Sequence, residues 1–457
     1  MINLRKYRKF LTKNERNKIY LRKNTSRGKA IADSKYKTKK LLTKKGVGVP
    51  TLLARFKNEQ DLANFRWEDL EGNFVVKPES GYGGEGIIII RKRGKWAGEW
   101  HKMNGEKITT QDIQLHCQEV LAGKYSLHSM KDTVLVEERI KIHPLFLALT
   151  RAGTPDIRVI VYNKVPVMAM FRIPTEKSGG KANLHQGAIG LGVDLATGIT
   201  TFGVEKGVPI YRIYDFNKKK KRKVNGIKIP FWREILETAV KCQLAIPSLG
   251  FMGVDVVLDK EKGPEVLEVN ARPGLSIQLC NMAGLKGRIE KVDEIEVRNV
   301  DHAITLAKYL FGEKFFVKIE EKEKNRTIDS VETIRVKIPK GFDLKDENIK
   351  IIKKGKHRMV EVEAKIDTGA LRSSIDESLA KQLGLLVEDK ILYYRHYRSA
   401  LAKAHERPVV GINFWLKNKK ISTTVNVADR QGLNNRFLVG RRDLEGFLIT
   451  AKGNERK

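Results

Sequence analysis

Three polar residues near the middle of the chain interrupt two apolar runs and could hold a metal ion. Asp255 lies in the run GVDVV, and Glu268 and Asn270 lie in VLEVN. The segment 253–270 is typical of two neighbouring strands joined by a charged turn, and Glu268 and Asn270 share a face because side chains alternate along a strand. Carboxylates buried there without a cation or a partner would be costly. Because Mg²⁺ prefers oxygen ligands of this kind, the sequence predicts a metal site rather than an exposed polar sheet face.

A glycine-rich segment, FVVKPESGYGGEGI at 74–87, lies between two predicted strands and could bind phosphate. Glycines let backbone N–H groups approach phosphate oxygens, and Lys77 at the end of the first strand adds a positive charge. The segment is not a Walker loop, because no GK[ST] follows. It is not a Rossmann fingerprint either, because a strand rather than a helix comes next. We therefore predict a phosphate-binding loop, with a tight hairpin that binds nothing as the alternative.

A third candidate is the Asp367-Thr-Gly triplet in EVEAKIDTGALRSSID, residues 361–376. An aspartic peptidase needs two carboxylates close enough to share one proton, and this chain contains a single such triplet. An acidic residue after a strand, followed by a hydroxyl and a glycine, also fits an ordinary sharp turn. The triplet alone leaves both interpretations open.

The elements that must position these residues follow from hydrophobic periodicity. Apolar, β-rich runs predict strands at 74–78, 87–92, 133–140, 157–163 and 165–173. Helical spacing of apolar residues predicts a helix over 231–246. Residues 313–335 are charged and weakly periodic, which indicates a linker between a first domain at 1–312 and a mostly β domain at 336–457.

The formal net charge of +34 implies attraction to polyanions, and basic residues crowd the segments 1–45 and 217–224. No zinc-finger spacing, RNP motif or basic region leading into heptads accompanies this charge, so we expect no specific nucleic-acid recognition. A solvated basic surface, contact with an anionic surface and an acidic substrate remain as alternatives.

No apolar run approaches the roughly 18–20 residues that span a bilayer, and the basic start of the chain has no apolar signal region. These features predict a cytoplasmic protein without a transmembrane segment. Cys117, Cys242 and Cys280 are widely spaced, which favours reduced, buried thiols over a disulfide framework or a zinc site.

The order of several motifs along the chain carries a family resemblance. These are DSK at 33–35, VVKP with its glycine loop, LVEERI, NLHQGA at 183–188, GVDVV, and EVNARPG at 268–274. Together they resemble the ATP-grasp ligases, especially the glutamate-ligase branch related to the RimK type that modifies a ribosomal protein. In particular, about residues 1–310 resemble the group called alpha-L-glutamate ligase-like, or sugar-transfer-associated, ATP-grasp proteins. The resemblance implies an α+β ATP-grasp fold and the cofactors ATP and Mg²⁺, with two Mg²⁺ ions expected and Mn²⁺ as an alternative ion.

The resemblance also implies a role for each matching side chain. The residues expected at ATP are Lys35 and Lys77 on the phosphates, Gly83, Gly84 and Gly86 in the flexible loop, and Glu137, Glu138 and Ile140 in the adenine hinge. The expected metal ligands are Asp255, Glu268 and Asn270. The residues expected at the substrates are Arg158, Arg172 and Arg272 as catalytic cations, with Asn183 and His185 binding the acceptor. An acidic residue often holds the ribose in this family; IKIHPLF at 140–146 lacks it, so the ribose contact is not assigned.

The implied reaction is ATP-dependent ligation of a carboxylate to an amine, in which an acylphosphate forms and ADP is released. The expected product carries glutamate or another amino acid on an amino acid, a peptide or a protein acceptor. The alternative is a non-catalytic switch, in which ATP closes the grasp and the β domain binds a peptide.

The last domain has its own resemblance. The segment RFLVGRRDL at 436–444 resembles the end of the retropepsin fold, and residues 336–457 are similar to a bacterial domain family labelled ATP-dependent zinc protease. The zinc label finds no support, because the sequence has no HExxH motif or dense His/Cys cluster. The resemblance implies a small all-β barrel whose homodimer pairs Asp367 with its symmetry mate as an aspartic peptidase. A domain without peptidase activity that serves dimerisation or peptide binding is the alternative.

Overall fold

The chain forms two compact units, Met1–Asp293 (unit 1) and Glu294–Lys457 (unit 2). The computed structural model describes residues 9–81, 85–126, 129–312, 326–339, 351–354, 357–399, 402–417, 419–430, 432–444 and 447–449. Within these residues, no helix is long and apolar enough to cross a membrane.

Unit 1 contains a six-stranded antiparallel sheet in the order β1-β6-β2-β3-β4-β5. Its strands are β1 (Leu52–Phe56), β2 (Phe74–Pro78), β3 (Ile88–Arg93), β4 (Glu99–Lys102), β5 (Lys107–Thr109) and β6 (Val134–Glu138). An aromatic core fixes this sheet: the ring of Phe74 packs against Trp67 and Trp100 with centroids 5.9 and 5.1 Å away. The predicted strand at 74–78 is confirmed as β2, whose end places Lys77 beside strand β6.

The second sheet of unit 1 has seven strands in the order β11-β10-β9-β8-β7-β14-β15. Its strands are β7 (Asp156–Tyr162), β8 (Val165–Ile173), β9 (Ile189–Val193), β10 (Thr200–Glu205), β11 (Val208–Ile210), β14 (Phe251–Asp259) and β15 (Gly263–Asn270). The two predicted strands around GVDVV and VLEVN are confirmed as the antiparallel pair β14–β15. A separate hairpin pairs β12 (Arg212–Asp215) with β13 (Lys220–Lys223), so much of the basic segment 217–224 is strand.

Helices and short 3-10 turns surround the two sheets of unit 1. The helices are α1 (Lys13–Lys18), α2 (Ser26–Ala32), α3 (Lys35–Lys44), α4 (Glu59–Ala63), α5 (Thr110–Leu121), α6 (Pro144–Leu147), α7 (Trp232–Ala245), α8 (Ile277–Asn281) and α9 (Leu285–Ile289). The 3-10 turns are Tyr20–Lys23, Trp67–Asp69, Glu176–Ser178 and Leu184–Gln186. Ser34 caps α3 by accepting a hydrogen bond from the backbone N–H of Lys37, which fixes Lys35 in the first turn of the helix. The predicted helix at 231–246 is confirmed as α7.

Unit 2 contains a closed barrel of six strands. The ring runs β17-β19-β24-β20-β23-β22, and β22 pairs back to β17. Its strands are β17 (Val331–Lys337), β19 (His357–Asp367), β20 (Ser374–Asp376), β22 (Ala402–Leu416), β23 (Lys419–Ala428) and β24 (Phe437–Gly440). Outside the ring are β16 (Arg326–Ile328), β18 (Ile351–Lys354), β21 (Ile391–Ser399), β25 (Phe447–Ile449), α10 (Val300–Phe311), α11 (Glu377–Gln382) and the 3-10 turn Glu388–Lys390. The predicted β-barrel and the α+β class are confirmed.

Two features differ in detail from the sequence expectations. Helix α10, which lies within the predicted first domain at 1–312, belongs to unit 2. The segment 313–335, expected to be a linker, includes strand β16 and the start of β17, while residues 313–325 lie outside the described part of the chain. Short charged strands of this kind are hard to recognise from sequence because their alternation is weak.

Candidate functional site

The register of three neighbouring strands brings the central charged side chains together. Asp255 on β14 is opposite Glu268 on β15 and also opposite Arg158 on β7. The β14–β15 register shifts directly after Asp255, so the pairing becomes irregular at this carboxylate. Asp255 is therefore flanked by a cation on one side and by a second carboxylate on the other.

Two arginines hold the buried carboxylate of Asp255. Arg158 donates from Nε to Oδ1 at 2.6 Å and from Nη2 to Oδ2 at 2.5 Å. Nη2 of Arg172 lies 2.8 Å from the same Oδ2. Burial alone would raise the pKa of Asp255, but the two guanidinium groups lower it below its usual value. Asp255 is consequently an anion in the folded chain.

Asn270 connects the two acidic residues that were predicted as metal ligands. Its Nδ2 donates to Glu268 Oε1 at 3.1 Å and to Asp255 Oδ2 at 3.3 Å. The three predicted ligands therefore converge. The side chain of Glu268 is 43% exposed, so one carboxylate of the group is accessible from solvent.

The donor set of this group fits a divalent ion of the Mg²⁺ type. Within the described residues no cluster of three or more His, Cys, Asp or Glu side chains could hold a metal ion, so the set depends on an amide as its third member. The oxygen and nitrogen of an Asn amide exchange places by a simple flip, which turns Asn270 from a donor toward the carboxylates into an oxygen ligand. Two carboxylates and an amide oxygen are hard ligands, which Mg²⁺ prefers.

Asp156 is a buried carboxylate that the sequence predictions missed. It forms a bidentate pair with Arg172, with Nε–Oδ1 and Nη2–Oδ2 distances of 2.6 Å. Burial raises the pKa of Asp156 against the opposing effect of Arg172, and the charge of Asp255 raises it further. Arg172 is thus shared by two carboxylates and held in one orientation. The alternation of Asp156 and Arg158 along β7 places both on one face, and that spacing could have identified Asp156.

A second group of charges lies in the first sheet, where two lysines share one carboxylate. Nζ of Lys77 and Nζ of Lys39 each lie 2.5 Å from an oxygen of Glu137. All three residues are buried. Burial alone would raise the pKa of Glu137, but Lys77 and Lys39 lower it. The group carries a net charge of +1 when both lysines are protonated, which suits an incoming phosphate.

Lys39 was not predicted from the sequence, although it lies one helical turn after Lys35 on α3. That spacing places the two lysines on the same helix face and could have identified Lys39. Nζ of Lys35 donates to the carbonyl oxygen of Glu79 at 2.9 Å. Burial lowers the pKa of Lys35, while the charge of Glu268 acts in the opposite direction. Lys35 is therefore electrostatically linked to the predicted metal ligands.

We expect the lowered pKa of Lys39 to appear in the pH dependence of the free energy of unfolding. Burial, reinforced by the charge of Lys77, lowers the pKa of Lys39 from 10.5 to about 7. Between these values the unfolded chain holds a proton that the folded chain has released, so this group makes the free energy of unfolding increase as the pH rises across that window. Urea unfolding of the wild type and Lys39→Met at several pH values measures the contribution.

Lys44→Met, at the exposed end of the same helix, serves as the control and should keep the wild-type pH profile. Lys39→Met should lose part of the increase with pH. Parallel profiles for Lys39→Met and the wild type would contradict the assignment.

The three predicted hinge residues occupy different environments. Glu137 points into the buried lysine group, whereas Glu138 Oε2 pairs with Nζ of Lys262 at 2.5 Å. Ile140 follows the end of β6 and is half-buried. Within the described residues, the backbone N–H of Ile140 donates to no hydrogen-bond acceptor, whereas that of Glu138 donates to Thr51. The backbone at Ile140 is therefore available to a ligand.

The predicted glycine loop is described only in part. Gly83 and Gly84 lie outside the described residues. Gly86 has φ +69°, and a Cβ there would lie 2.6 Å from the ring of Tyr125, so no larger residue fits without a shift. His116 Nε2 lies 2.9 Å from the carbonyl oxygen of Gly86 and helps to fix this end of the loop.

Asn183 and His185, the predicted acceptor-binding residues, belong to the 3-10 turn Leu184–Gln186 and its N-cap. Asn183 Oδ1 accepts from the backbone N–H of His185 at 3.0 Å, and His185 Nε2 lies 3.3 Å from Ser276 Oγ. Arg272 follows β15, and its Nη1 donates to Asp33 Oδ1 at 2.9 Å. Arg272 is half exposed and therefore remains accessible from solvent, but its charge is partly balanced by Asp33.

Asp367, the candidate of the Asp-Thr-Gly triplet, lies at the end of β19 in unit 2. Its Oδ1 accepts from the backbone N–H groups of Gly369 at 2.9 Å and Ala370 at 3.0 Å. These two hydrogen bonds form the sharp turn that the triplet suggested. The pairing of Asp367 with a symmetry mate in a homodimer remains a prediction.

Comparison with known proteins gives a family match for unit 1. Residues 14–294 match the family described as sugar-transfer associated ATP-grasp, which is more than half of the chain. No curated protein matches the chain.

Three solved structures illustrate the structural similarities. The ATP-grasp ligase PsnB complexed with minimal precursor is 15% identical with a TM-score of 0.30, and the match covers 62% of each chain. The D-alanine–D-alanine ligase from Bacillus anthracis complexed with ATP is 15% identical with a TM-score of 0.31, over 66% of this chain and 71% of that one. A protein of unknown function from Legionella pneumophila is 18% identical with a TM-score of 0.16, over 28% of this chain and 94% of that one.

Proposed function

The chain belongs to the sugar-transfer associated ATP-grasp family, and on this basis we propose that it is an ADP-forming ligase that joins a carboxylate to an amine. One observation carries the proposal. The predicted phosphate-binding residue Lys35 begins helix α3, and this helix packs against strand β15, which carries the predicted metal ligands Glu268 and Asn270. A cationic group for phosphate and an acidic group for a divalent ion therefore belong to one site, which is the combination that phosphoryl transfer requires.

The proposed chemistry starts from the inertness of a carboxylate toward amines in neutral water. Transfer of the γ-phosphoryl group of ATP to the carboxylate gives an acylphosphate, which has a good leaving group. Lys35 and Lys77 bind the phosphate oxygens as positive charges. The buried group of Lys39, Lys77 and Glu137 is assembled before the nucleotide arrives, so little reorganisation is needed when it binds.

In this proposal, two divalent ions would be held by Asp255, Glu268 and Asn270. A bound Mg²⁺ neutralises charge on the phosphate oxygens. Asp255 is kept ionised by Arg158 and Arg172, which preserves it as a ligand. Arg172 positions the carboxylate of Asp255, because its guanidinium group is held between Asp156 and Asp255.

The remaining roles in the proposal follow from accessibility. Arg272 is half exposed and can turn from Asp33 to stabilise an oxyanion as the amine attacks. Asn183 and His185 form a polar wall for the acceptor. The backbone N–H of Ile140 offers a donor to the adenine ring. In the same proposal, unit 2 binds or trims the ligation product.

A screen of amino-acid pairs for ADP production, followed by mass spectrometry of the products, tests this function. We expect ADP release that requires both a carboxylate and an amine, together with a product whose mass is the sum of the two minus one water. Reactions that lack one of the two substrates serve as controls. Shortened products in the same spectra would indicate trimming by unit 2.

The alternative function, a nucleotide-dependent switch, predicts a different outcome for the same experiment. ATP would bind, but no combination of carboxylate and amine would increase ADP release. That result over single amino acids, peptides and a protein acceptor would contradict the ligase proposal.

A further inference from the structure

A cavity of about 450 Å³ lies in unit 2, beside the turn that follows Asp367. One wall is formed by Leu371 and Arg372, and others by β21, β22, β23 and β24. Its lining includes three arginines, Arg372, Arg395 and Arg407, and, among the described residues, no Asp or Glu. The cavity is therefore a concentration of guanidinium groups outside the site proposed for ATP.

The arginines are arranged in a way that favours an anion between them. Arg395 on β21 and Arg407 on β22 are directly opposite each other in the antiparallel register, and both line the cavity. Like charges at directly opposed positions of an antiparallel pair destabilise the sheet. A negatively charged group bound between the two side chains would attract both of them.

A buried amide supplies a second, independent observation. Asn426 lines the same cavity and is 6% exposed, and its Oδ1 has no hydrogen-bond partner among the residues that the structure describes. Buried polar side chains are normally hydrogen-bonded, and an exception calls for a missing partner. Because an Asn amide can present either its oxygen or its nitrogen, Asn426 can donate to an anion held by the arginines.

We propose that this cavity is a binding site for an oxyanion, the carboxylate or phosphate group of a small molecule. Arg372, Arg395 and Arg407 supply the charge, since a planar guanidinium pairs with two oxygens of either group. Asn426 supplies a neutral fourth contact. Leu371 and Leu438 add apolar surface for the carbon atoms of the ligand. The site is distinct from the ligase centre and does not depend on the function proposed for unit 1.

Calorimetric titration of the intact chain with inorganic phosphate and with glutarate, at constant ionic strength, tests the proposal. We expect saturable binding of at least one of the two, which also separates a phosphate source from a carboxylate source. Arg395→Gln/Arg407→Gln should weaken this binding by about tenfold or more, the loss expected for a hydrogen bond to a charged group. Asn426→Leu should weaken it while keeping the side-chain volume.

Two controls make the result specific to the cavity. Arg335→Gln changes an arginine on β17 that does not line the cavity and should bind like the wild type. Phosphate could also bind at the lysines of unit 1, so the titrations are repeated with Lys77→Gln, in which binding to unit 2 should persist. Absence of saturable binding of both anions, or unchanged binding by the double arginine variant, would overturn the proposal. A loss of phosphate binding in Lys77→Gln together with no glutarate binding would overturn it as well.

Discussion

Glu268→Gln is expected to reduce amine-dependent ADP release by about 10²–10³-fold, the usual cost of losing one electrostatic contact to a transition state. The substitution keeps the shape of the side chain and removes its charge. Glu268 belongs to the three-residue group that contacts Asn270 and faces Asp255, and it is the more exposed of the two carboxylates. Its carboxylate is therefore the one most available to a divalent ion. The measurement is ADP release with the substrate pair found in the screen.

Folding should be nearly unaffected by this change, because the Glu268 side chain is 43% exposed and lies 3.9 Å from its nearest cation, Arg158. Thermal unfolding of the variant therefore separates a chemical defect from a structural one. Glu261→Gln, in the turn of the same hairpin, is the matched control and should retain full activity. A higher Mg²⁺ concentration should partly restore the Glu268→Gln variant if the residue is a ligand. Undiminished ADP release at ordinary Mg²⁺ would remove the metal assignment.

Arg172→Met is expected to destabilise unit 1 by about 3–5 kcal/mol, the typical cost of removing one partner of a buried ion pair. Arg172 is 7% exposed and is the bidentate partner of Asp156, which is 4% exposed. Methionine fills much of the volume but leaves Asp156 without its cation. Urea unfolding at mildly alkaline pH, where Asp156 is ionised, measures the loss.

The pH dependence and a second substitution distinguish an unpaired charge from a packing defect. Asp156 already has a pKa of about 7 beside Arg172, and removal of the cation raises this pKa further. The folded variant therefore keeps a proton that the folded wild type loses above pH 7, so its deficit should grow as the pH rises above 7 and shrink as the pH falls toward 7. Asp156→Asn combined with Arg172→Met should recover much of the stability, because the buried charge is removed with its partner. Arg233→Met on the exposed face of α7 is the control and should change stability by less than about 0.5 kcal/mol. Equal, pH-independent losses in the single and double variants would contradict the ion-pair explanation.

Strongly patterned segments were predictable from sequence. The apolar runs GVDVV and VLEVN, separated by a charged turn, predicted the pair β14–β15. The carboxylates within these runs predicted a metal site, because a carboxylate is expensive among valines unless something binds it. The glycines after Lys77 indicated a loop, and the periodicity of 231–246 indicated α7. Short strands in the highly charged segment after α10 were missed, because their alternation is faint and burial decides which residues become strand.

The candidate site was predictable at the level of individual ligands but not of their partners. Asp255, Glu268 and Asn270 stand out because each interrupts an apolar run. Asp156 and Lys39 stand out only through their spacing from Arg158 and Lys35, since an acid at the start of a strand or a lysine on a helix is common on protein surfaces.

The sequence by itself indicated the family, through motif order, and predicted a metal site, through carboxylates placed where burial needs a cation. Only the tertiary structure decided which charges meet: that Arg172 is shared by Asp156 and Asp255, that Lys39 and Lys77 share Glu137, and that Arg395 faces Arg407. The reason is physical. Periodicity along the chain reports which side of an element is buried, whereas the strength of a charge depends on its distance to other charges and on exclusion of water, and both arise only when distant segments pack together.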